Sequence, residues 1–166
     1  MARSVSLAIY MLYVRYGHGL RPSRQTRSLE ADAATYPTRP TSPLIWVNVV
    51  SVSGAQTVIE LACRLLNENP KLSCLVTTST AQTAQALDGL MPSRMFHQHL
   101  PSAKVTAIDA FLDHWQPDLA VWTEDALLPA FIVRTKKRKI PMLYIDAQMS
   151  PRSFRRWRFL ARMAKS

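Results

Sequence analysis

The sequence predicts an α/β fold built on a parallel sheet that carries helices on both faces. From Leu44 onward, short apolar runs rich in β-branched residues alternate with segments of helical period. Such runs lack the polar alternation of half-exposed strands, so they are typical of strands buried on both faces. The repeated order of strand and helix favours parallel strands joined by right-handed crossovers. Five strands of this kind make a Rossmann-like, doubly wound unit.

The individual elements follow from local signals. The first strand is the run LIWVNVV from Leu44, and Asn69-Pro70 ends the helix after it, since Pro cannot continue a helix. The predicted strands are 44–50, 73–78, 95–100, 119–122 and 142–146. The predicted helices are 55–67, 81–87, 104–115, 127–138 and 152–165.

The region before the first strand divides into two parts. Val5 to Val14 is a ten-residue apolar run, well short of the ~20 residues that a membrane-spanning helix needs. Arginines flank it and tyrosines lie along it, so we expect residues 1–19 to form a membrane-associating helix in the headgroup region; the alternative is a helix packed on the domain. Residues 20–43 are polar and rich in Pro and Arg, which predicts an extended arm. Residues 44–166 form the Rossmann-like domain.

The charge of the chain indicates an anionic partner. Lys and Arg number 21 against 11 acidic residues, a net charge of +10. Anionic lipid, a phosphorylated substrate and nucleic acid are the classes that this charge favours. Nucleic-acid binding is favoured by two features, the basic run Lys136 to Lys139 and the predicted helix 152–165. No helix-turn-helix, RNP or zinc-knuckle pattern accompanies them. Nucleic acid is therefore the less favoured partner.

No metal or redox cofactor is predicted. The two cysteines, Cys63 and Cys74, lie at no metal-ligand spacing from each other or from a His. The loop after the first strand lacks the G-x-G-x-x-G pattern of dinucleotide-binding folds. Nicotinamide and flavin cofactors are therefore disfavoured.

Ligands of open α/β sheets bind beyond the carboxyl ends of the strands, so the loops there contain the candidate site residues. Ser53 and Gln56 after the first strand fit a capping box, and such a helix start also offers N–H groups to an anion. The hydroxyls of Thr77 to Thr80 after the second strand can cap a helix or bind a sugar or phosphate.

The loop after the fourth strand and the third strand itself carry titratable groups. Glu124 follows the fourth strand and is a candidate acid or base, whereas the neighbouring Asp125 suits a helix N-cap. His97 and His99 alternate on the third strand without an obvious partner in the sequence, so a structural role is favoured for both.

Together these loops resemble the 3-deoxy-D-manno-octulosonic acid (Kdo) transferases of lipopolysaccharide synthesis. Leu44 to Gly54 is similar to the family's L/I-W-x-H-x-x-S-x-G-E, and Thr77 to Thr80 to its T-T-x-T. Glu124 to Ala130 is similar to E-x-x-L-W-P-N, and Asp146 to Ser153 to N-A-R-M-S-x-R-S. Lys139-Ile140-Pro141 also looks like the G-I-P before the fifth strand. The four motifs occur in the family's order.

The resemblance implies the N-terminal half of a GT-B glycosyltransferase at the cytoplasmic face of the bacterial inner membrane. That half binds the lipid A precursor, and the CMP-Kdo donor is expected on a C-terminal domain that this chain lacks and that a separate chain could supply. Glu124 is the implied catalytic residue, and no metal is implied. The implied acceptor-binding residues are Ser51, Ser53, Thr77, Thr78, Ser150 and Arg152.

Several positions depart from the family pattern. Gly54 stands where the family has its general-base glutamate, and a glycine cannot take a proton. Loss of a positioned base typically costs ~10² to 10⁴ in rate. Four further family residues, His, Trp, Asn and Arg, are replaced by Asn48, Leu128, Ala130 and Gln148. We therefore expect a Kdo-transferase-like domain that is weak or inactive as an isolated chain, or alternatively a non-catalytic module that binds the membrane or a lipid A precursor.

Overall fold

The structure is a computed structural model that describes residues 36–123 and 128–145. Five parallel strands form one sheet in the order β3-β2-β1-β4-β5. The strands are β1 (Leu44–Val49), β2 (Ser73–Thr78), β3 (Met95–His99), β4 (Leu119–Thr123) and β5 (Met142–Ile145). The helices are α1 (Val52–Glu68), α2 (Ala81–Gln85), α3 (Val105–Trp115) and α4 (Pro129–Lys137). The predicted doubly wound α/β fold is confirmed.

The two faces of the sheet bury separate apolar clusters. Successive strand residues point to opposite faces, so Trp46 and Val47 of β1 enter different clusters. One cluster packs the sheet against α1 and the other packs it against α3 and α4. The second contains most of the large aromatic side chains, including Trp46, Phe111, Trp115 and Trp122. This division is why β1 carries large apolar side chains toward both faces of the sheet.

The start of α1 differs from the prediction. The N-cap is Ser51, whose Oγ accepts a hydrogen bond from the backbone N–H of Gly54 at 2.9 Å. The capping box on Ser53 and Gln56 is therefore wrong. Ser53 lies inside the first turn, where its carbonyl accepts a bond from the Thr57 hydroxyl at 3.3 Å. The chain leaves β1 at Val49 and has no room for two more extended residues before the helix.

The other helix boundaries differ by one or two residues. α4 begins at Pro129 with Leu128 as its N-cap, so Asp125 is not the cap that the sequence indicated. Proline suits the first helical position because the N–H it lacks would be unpaired there. The predicted helices within residues 1–19 and 152–165 lie outside the described residues. None of the described helices is long and apolar enough to cross a bilayer.

The described end of the arm, residues 36–43, contains no helix or strand and contacts α3. Tyr36 packs edge-on against Phe111, with ring centroids 6.3 Å apart. The guanidinium of Arg39 donates to the carbonyls of Trp115 and Gln116 at 2.8 and 3.3 Å, where α3 ends. These carbonyls have no partner within the helix, so a cation is favoured there. The arm is thereby attached at the amino edge of the sheet.

A network of ion pairs joins α3 to α4. The carboxylate of Asp109 accepts hydrogen bonds from Arg134 Nε and Arg138 Nη1, both at 2.7 Å, and Arg138 Nη2 lies 2.7 Å from Asp113. Burial alone would raise the pKa of Asp109, but the hydrogen bonds and charges of Arg134 and Arg138 hold it below its ordinary value of 3.8. Arg134 of α4 and its C-cap residue Arg138 are thus paired with carboxylates of α3.

We expect Asp109→Asn to lower the free energy of unfolding at pH 7 by about 1–2 kcal/mol, because two half-buried guanidinium groups lose their charged acceptor. A carboxyl whose pKa is depressed by folding stabilises the fold above pH 3.8, and this contribution is lost as the pH falls through its folded value. Urea unfolding at pH 7 and in acid measures both effects.

The control is Asp113→Asn, whose carboxylate is 69% exposed and should contribute little. Equal losses for the two variants, or a loss for Asp109→Asn that does not shrink in acid, would contradict the assigned role.

Candidate functional site

The order of the strands reverses between β1 and β4. The chain leaves β1 toward α1 on one face of the sheet, and it leaves β4 toward α4 on the other face. Because the helices that follow the two strands lie on opposite faces, the carboxyl edge between β1 and β4 is the crevice position at which open α/β sheets bind ligands. The hydroxyl of Thr123 at the end of β4 donates to the carbonyl of Asn48 at 2.9 Å and fixes the two strand ends beside each other.

The first turn of α1 forms one wall of this crevice. The Ser51 and Ser53 hydroxyls are 2.9 Å apart, and Ser53 is exposed. The first turn contains no acidic residue, so the positive end of the helix dipole faces the crevice without a carboxylate beside it. This geometry suits a hydroxyl-rich or anionic ligand, and it provides no proton acceptor.

Gly54 occupies an ordinary helical position. Its N–H is bound by Ser51, and its φ is not in the left-handed region, which among the described glycines is recorded for Gly89 alone. The backbone at this position therefore does not require glycine, and a residue with a side chain can adopt it.

Thr77 is a buried link between two strands rather than an exposed hydroxyl. Its Oγ1 accepts a hydrogen bond from the indole Nε1 of Trp46 at 2.9 Å and donates to Oδ1 of Asn48 at 3.0 Å. All three side chains are at most 1% exposed. The chain of bonds fixes the orientation of the Asn48 amide, because its oxygen is committed to Thr77.

Two buried donors beside this link have no hydrogen-bond partner among the residues that the structure describes. They are Asn48 Nδ2 and Trp122 Nε1, and the two residues are register partners across β1 and β4. An unpaired buried donor costs about 1–3 kcal/mol, so an oxygen acceptor at this position would be bound favourably. Sequence reasoning missed this pair, because only the strand register shows that the two residues are neighbours.

Thr78 is also buried, on the opposite face of the sheet from Thr77. Its Oγ1 lies 2.9 Å from Nε2 of His97, and the rings of His97 and His99 are 5.5 Å apart. Burial lowers the pKa of His97, and the neighbouring His99 lowers it further, whereas Asp88 acts in the opposite direction. A partly buried imidazole bonded to a threonine hydroxyl suits the structural role that the sequence favours for His97.

Thr80 caps α2, as its Oγ1 accepts from the N–H of Thr83 at 3.2 Å. The hydroxyl of Thr83 donates in turn to the carbonyl of Val50 at 3.3 Å. The loops after β1 and β2 are therefore tied together next to the first turn of α1.

The structure thus places four of the predicted acceptor-binding residues at the carboxyl ends of two neighbouring strands: Ser51, Ser53, Thr77 and Thr78. The two serines lie in the loop and first turn, and the two threonines are bonded inside the sheet. The predicted catalytic Glu124 and the predicted acceptor ligands Ser150 and Arg152 lie outside the described residues. No group of three potential metal ligands occurs within 36–123 and 128–145.

Comparison with known sequences fits this arrangement. The family profile described as 3-Deoxy-D-manno-octulosonic-acid transferase (kdotransferase) matches residues 24–166. The chain belongs to the Kdo transferase family. It is 29% identical over 163 residues to an Arabidopsis thaliana protein described as a probable mitochondrial 3-deoxy-D-manno-octulosonic acid transferase, over 90% of this chain and 36% of the relative.

A second relative is the 3-deoxy-D-manno-octulosonic acid transferase of Rickettsia conorii, which is 32% identical over 114 residues. That alignment covers 69% of this chain and 24% of the relative. The chain therefore spans about a third or less of the length of these relatives. Among solved structures, one from Listeria monocytogenes described as a UDP-N-acetylglucosamine 2-epimerase superposes with a TM-score of 0.52 at 13% identity, over 75% of this chain and 37% of that one. At this level of identity, the superposition shows a shared fold.

We expect Thr77→Val to lower the free energy of unfolding by about 1–3 kcal/mol, since it leaves the Trp46 N–H and the Asn48 oxygen buried and unpaired. Ser53→Ala removes an exposed hydroxyl and should change it by less than about 0.5 kcal/mol. Urea unfolding followed by tryptophan fluorescence compares the two. A Thr77→Val protein as stable as the parent would show that the link does not hold β1 to β2.

Proposed function

We propose that this chain is the N-terminal, acceptor-side domain of a GT-B Kdo transferase. The family match over residues 24–166 carries the proposal, supported by the reversal of strand order between β1 and β4. In the reaction, a sugar hydroxyl of a lipid A precursor attacks the anomeric carbon of Kdo, the bond to CMP breaks, and CMP leaves with the electron pair. This step belongs to the core assembly of lipopolysaccharide at the cytoplasmic face of the inner membrane.

The serines of the first turn of α1 have the chemistry to bind the acceptor sugar. Ser53 offers an exposed hydroxyl, and Ser51 lies beside it at 2.9 Å. Ser150 and Arg152 join them in this proposal, on the strength of the motif that they share with the family, and Glu124 is the remaining acidic candidate. The donor would be bound by a second domain.

Gly54 limits the activity of such a site. The attacking hydroxyl must lose its proton, and the first turn of α1 holds no acidic side chain to accept it. A missing base typically costs ~10² to 10⁴ in rate. We therefore propose weak or absent transfer by the isolated chain, with binding of the anionic acceptor retained.

Gly54→Glu tests this point directly, because the helical backbone at Gly54 accepts a side chain. With the donor domain of a family member supplied, we expect Gly54→Glu to raise the rate of CMP release from CMP-Kdo by ~10² to 10⁴. Gly54→Gln is the matched control, since it has the same shape and takes no proton at neutral pH.

Equal rates for the Glu and Gln variants would exclude Gly54 as the base position. If the parent protein and both variants bind the lipid A precursor and none of them releases CMP, the alternative function is favoured, a non-catalytic binding module. The absence of an acid in the first turn is the observation that favours that alternative.

The positive charge supports peripheral attachment to anionic lipid, at ~1 kcal/mol per basic residue near the surface. In the basic run of α4, Arg138 is paired with Asp109 and Asp113, so three exposed lysines remain there: Lys136, Lys137 and Lys139. A short run of exposed lysines is more often a solvated face than a nucleic-acid site.

We expect the chain to float with anionic vesicles at low salt, to be released at high salt, and to stay bound when duplex DNA is added as competitor, because charge screening acts on lipid contacts while DNA finds no specific site. Neutral vesicles are the control. Release by DNA at low salt would favour nucleic acid.

A further inference from the structure

One part of the sheet is not covered by any described helix. On the face that carries α1 and α2, an apolar groove with a volume of about 410 Å³ runs beside α1 over β4 and β5. Six of the side chains that line it are Val47, Leu61, Leu65, Val121, Leu143 and Ile145. Leu61 and Leu143 are 41% and 50% exposed. Because parallel sheets are normally covered on both faces, we expect another segment to cover this groove.

The shape of the groove fits one short helix. Its floor consists of β1, β4 and β5, and its wall is the side of α1 that carries Leu61 and Leu65. A strand of five residues is about 17 Å long, and a helix of ten residues is about 15 Å long. A helix of that length beside α1 would complete the layer on this face.

We propose that the groove is occupied by the apolar segment Val5 to Val14 of this same chain. Wound as a helix, this segment has Val5, Ile9 and Leu12 on one side, Leu7 and Met11 opposite, and the more polar Ser6, Tyr10 and Tyr13 between them. The two apolar sides of such a helix need a partner that removes them from water. One side fills the groove, and the opposite side remains available to the headgroup region. The inference does not rest on the transferase assignment.

The attachment of the arm allows this docking. Arg39 is bonded at the end of α3, and the chain enters β1 close by, so residue 36 lies at the amino edge of the sheet. The groove reaches the same edge at Leu72 and Leu119, which precede or begin strands. Residues 15–35 can span up to about 65 Å, ample for the path from the arm to the groove.

The chain after β5 is a poorer candidate. The connection from β4 to β5 passes through α4, which lies on the face opposite the groove. A right-handed connection that continues outward from β5 returns on that same face. We therefore propose the N-terminal segment, rather than the residues after Ile145, as the occupant of the groove.

The test measures how fast a maleimide labels Leu143→Cys in the full chain, with Cys63→Ser in every variant. Burial raises the pKa of the remaining thiol, Cys74, to about 12, so it reacts slowly. We expect the double change Ile9→Asp and Leu12→Asp to speed labelling of Leu143→Cys by about tenfold or more, because the cover is lost. Leu90→Cys, at a site that is 56% exposed and outside the groove, is the control and should not change.

A second measurement keeps the test valid if the double change disturbs folding. In the full chain, Leu12→Cys paired with Leu143→Cys should be joined within one molecule by a short bismaleimide, detected by mass spectrometry. Joined dimers would assign the groove to a second copy. Fast labelling in the unaltered chain would show an open groove. Protection lost through Phe154→Asp and Trp157→Asp, and not through the first pair, would assign it to the C-terminal segment. Each of these three results overturns the proposal.

Discussion

The fold depends on the central position of β1, which is paired on both edges and buried on both faces. Trp46 and Asn48 extend from it into the aromatic cluster, and the Thr77 hydroxyl joins both to β2. The carbonyl of Asn48 receives Thr123 from β4. One strand thus determines where the loops after β2 and β4 begin. Because interiors pack closely, small changes in β1 would move the entire carboxyl edge.

Much of this architecture could be predicted because buried parallel strands leave a strong pattern in sequence. All five strands were located to within one residue within the described range, since runs such as LIWVNVV have no exposed face to interrupt them. The start of α1 was predicted three residues late. Two serines lie two positions apart there, and local sequence cannot show which of them follows the last strand residue.

The site was harder to predict than the fold. Thr77 and Thr78 were recognised as polar residues at a strand end, but a sequence does not show that both hydroxyls are bonded inside the sheet. The pairing of Asn48 with Trp122 depends on register between strands about 75 residues apart, which no local period encodes. The family resemblance was confirmed, and it located the serines of the first turn of α1, which geometry alone would not have singled out.

The contact between Arg39 and the end of α3 has a mechanical consequence under the proposal that the N-terminal region attaches the chain to a membrane surface. A pull on that region would be met first by the contacts of Tyr36 and Pro37 with α3, next by the Arg39 bonds to the end of α3, and only then by β1. The arm would therefore pass the load to α3 before it reaches the sheet. The carboxyl edge of the sheet, which holds the candidate site, would be the last part to deform.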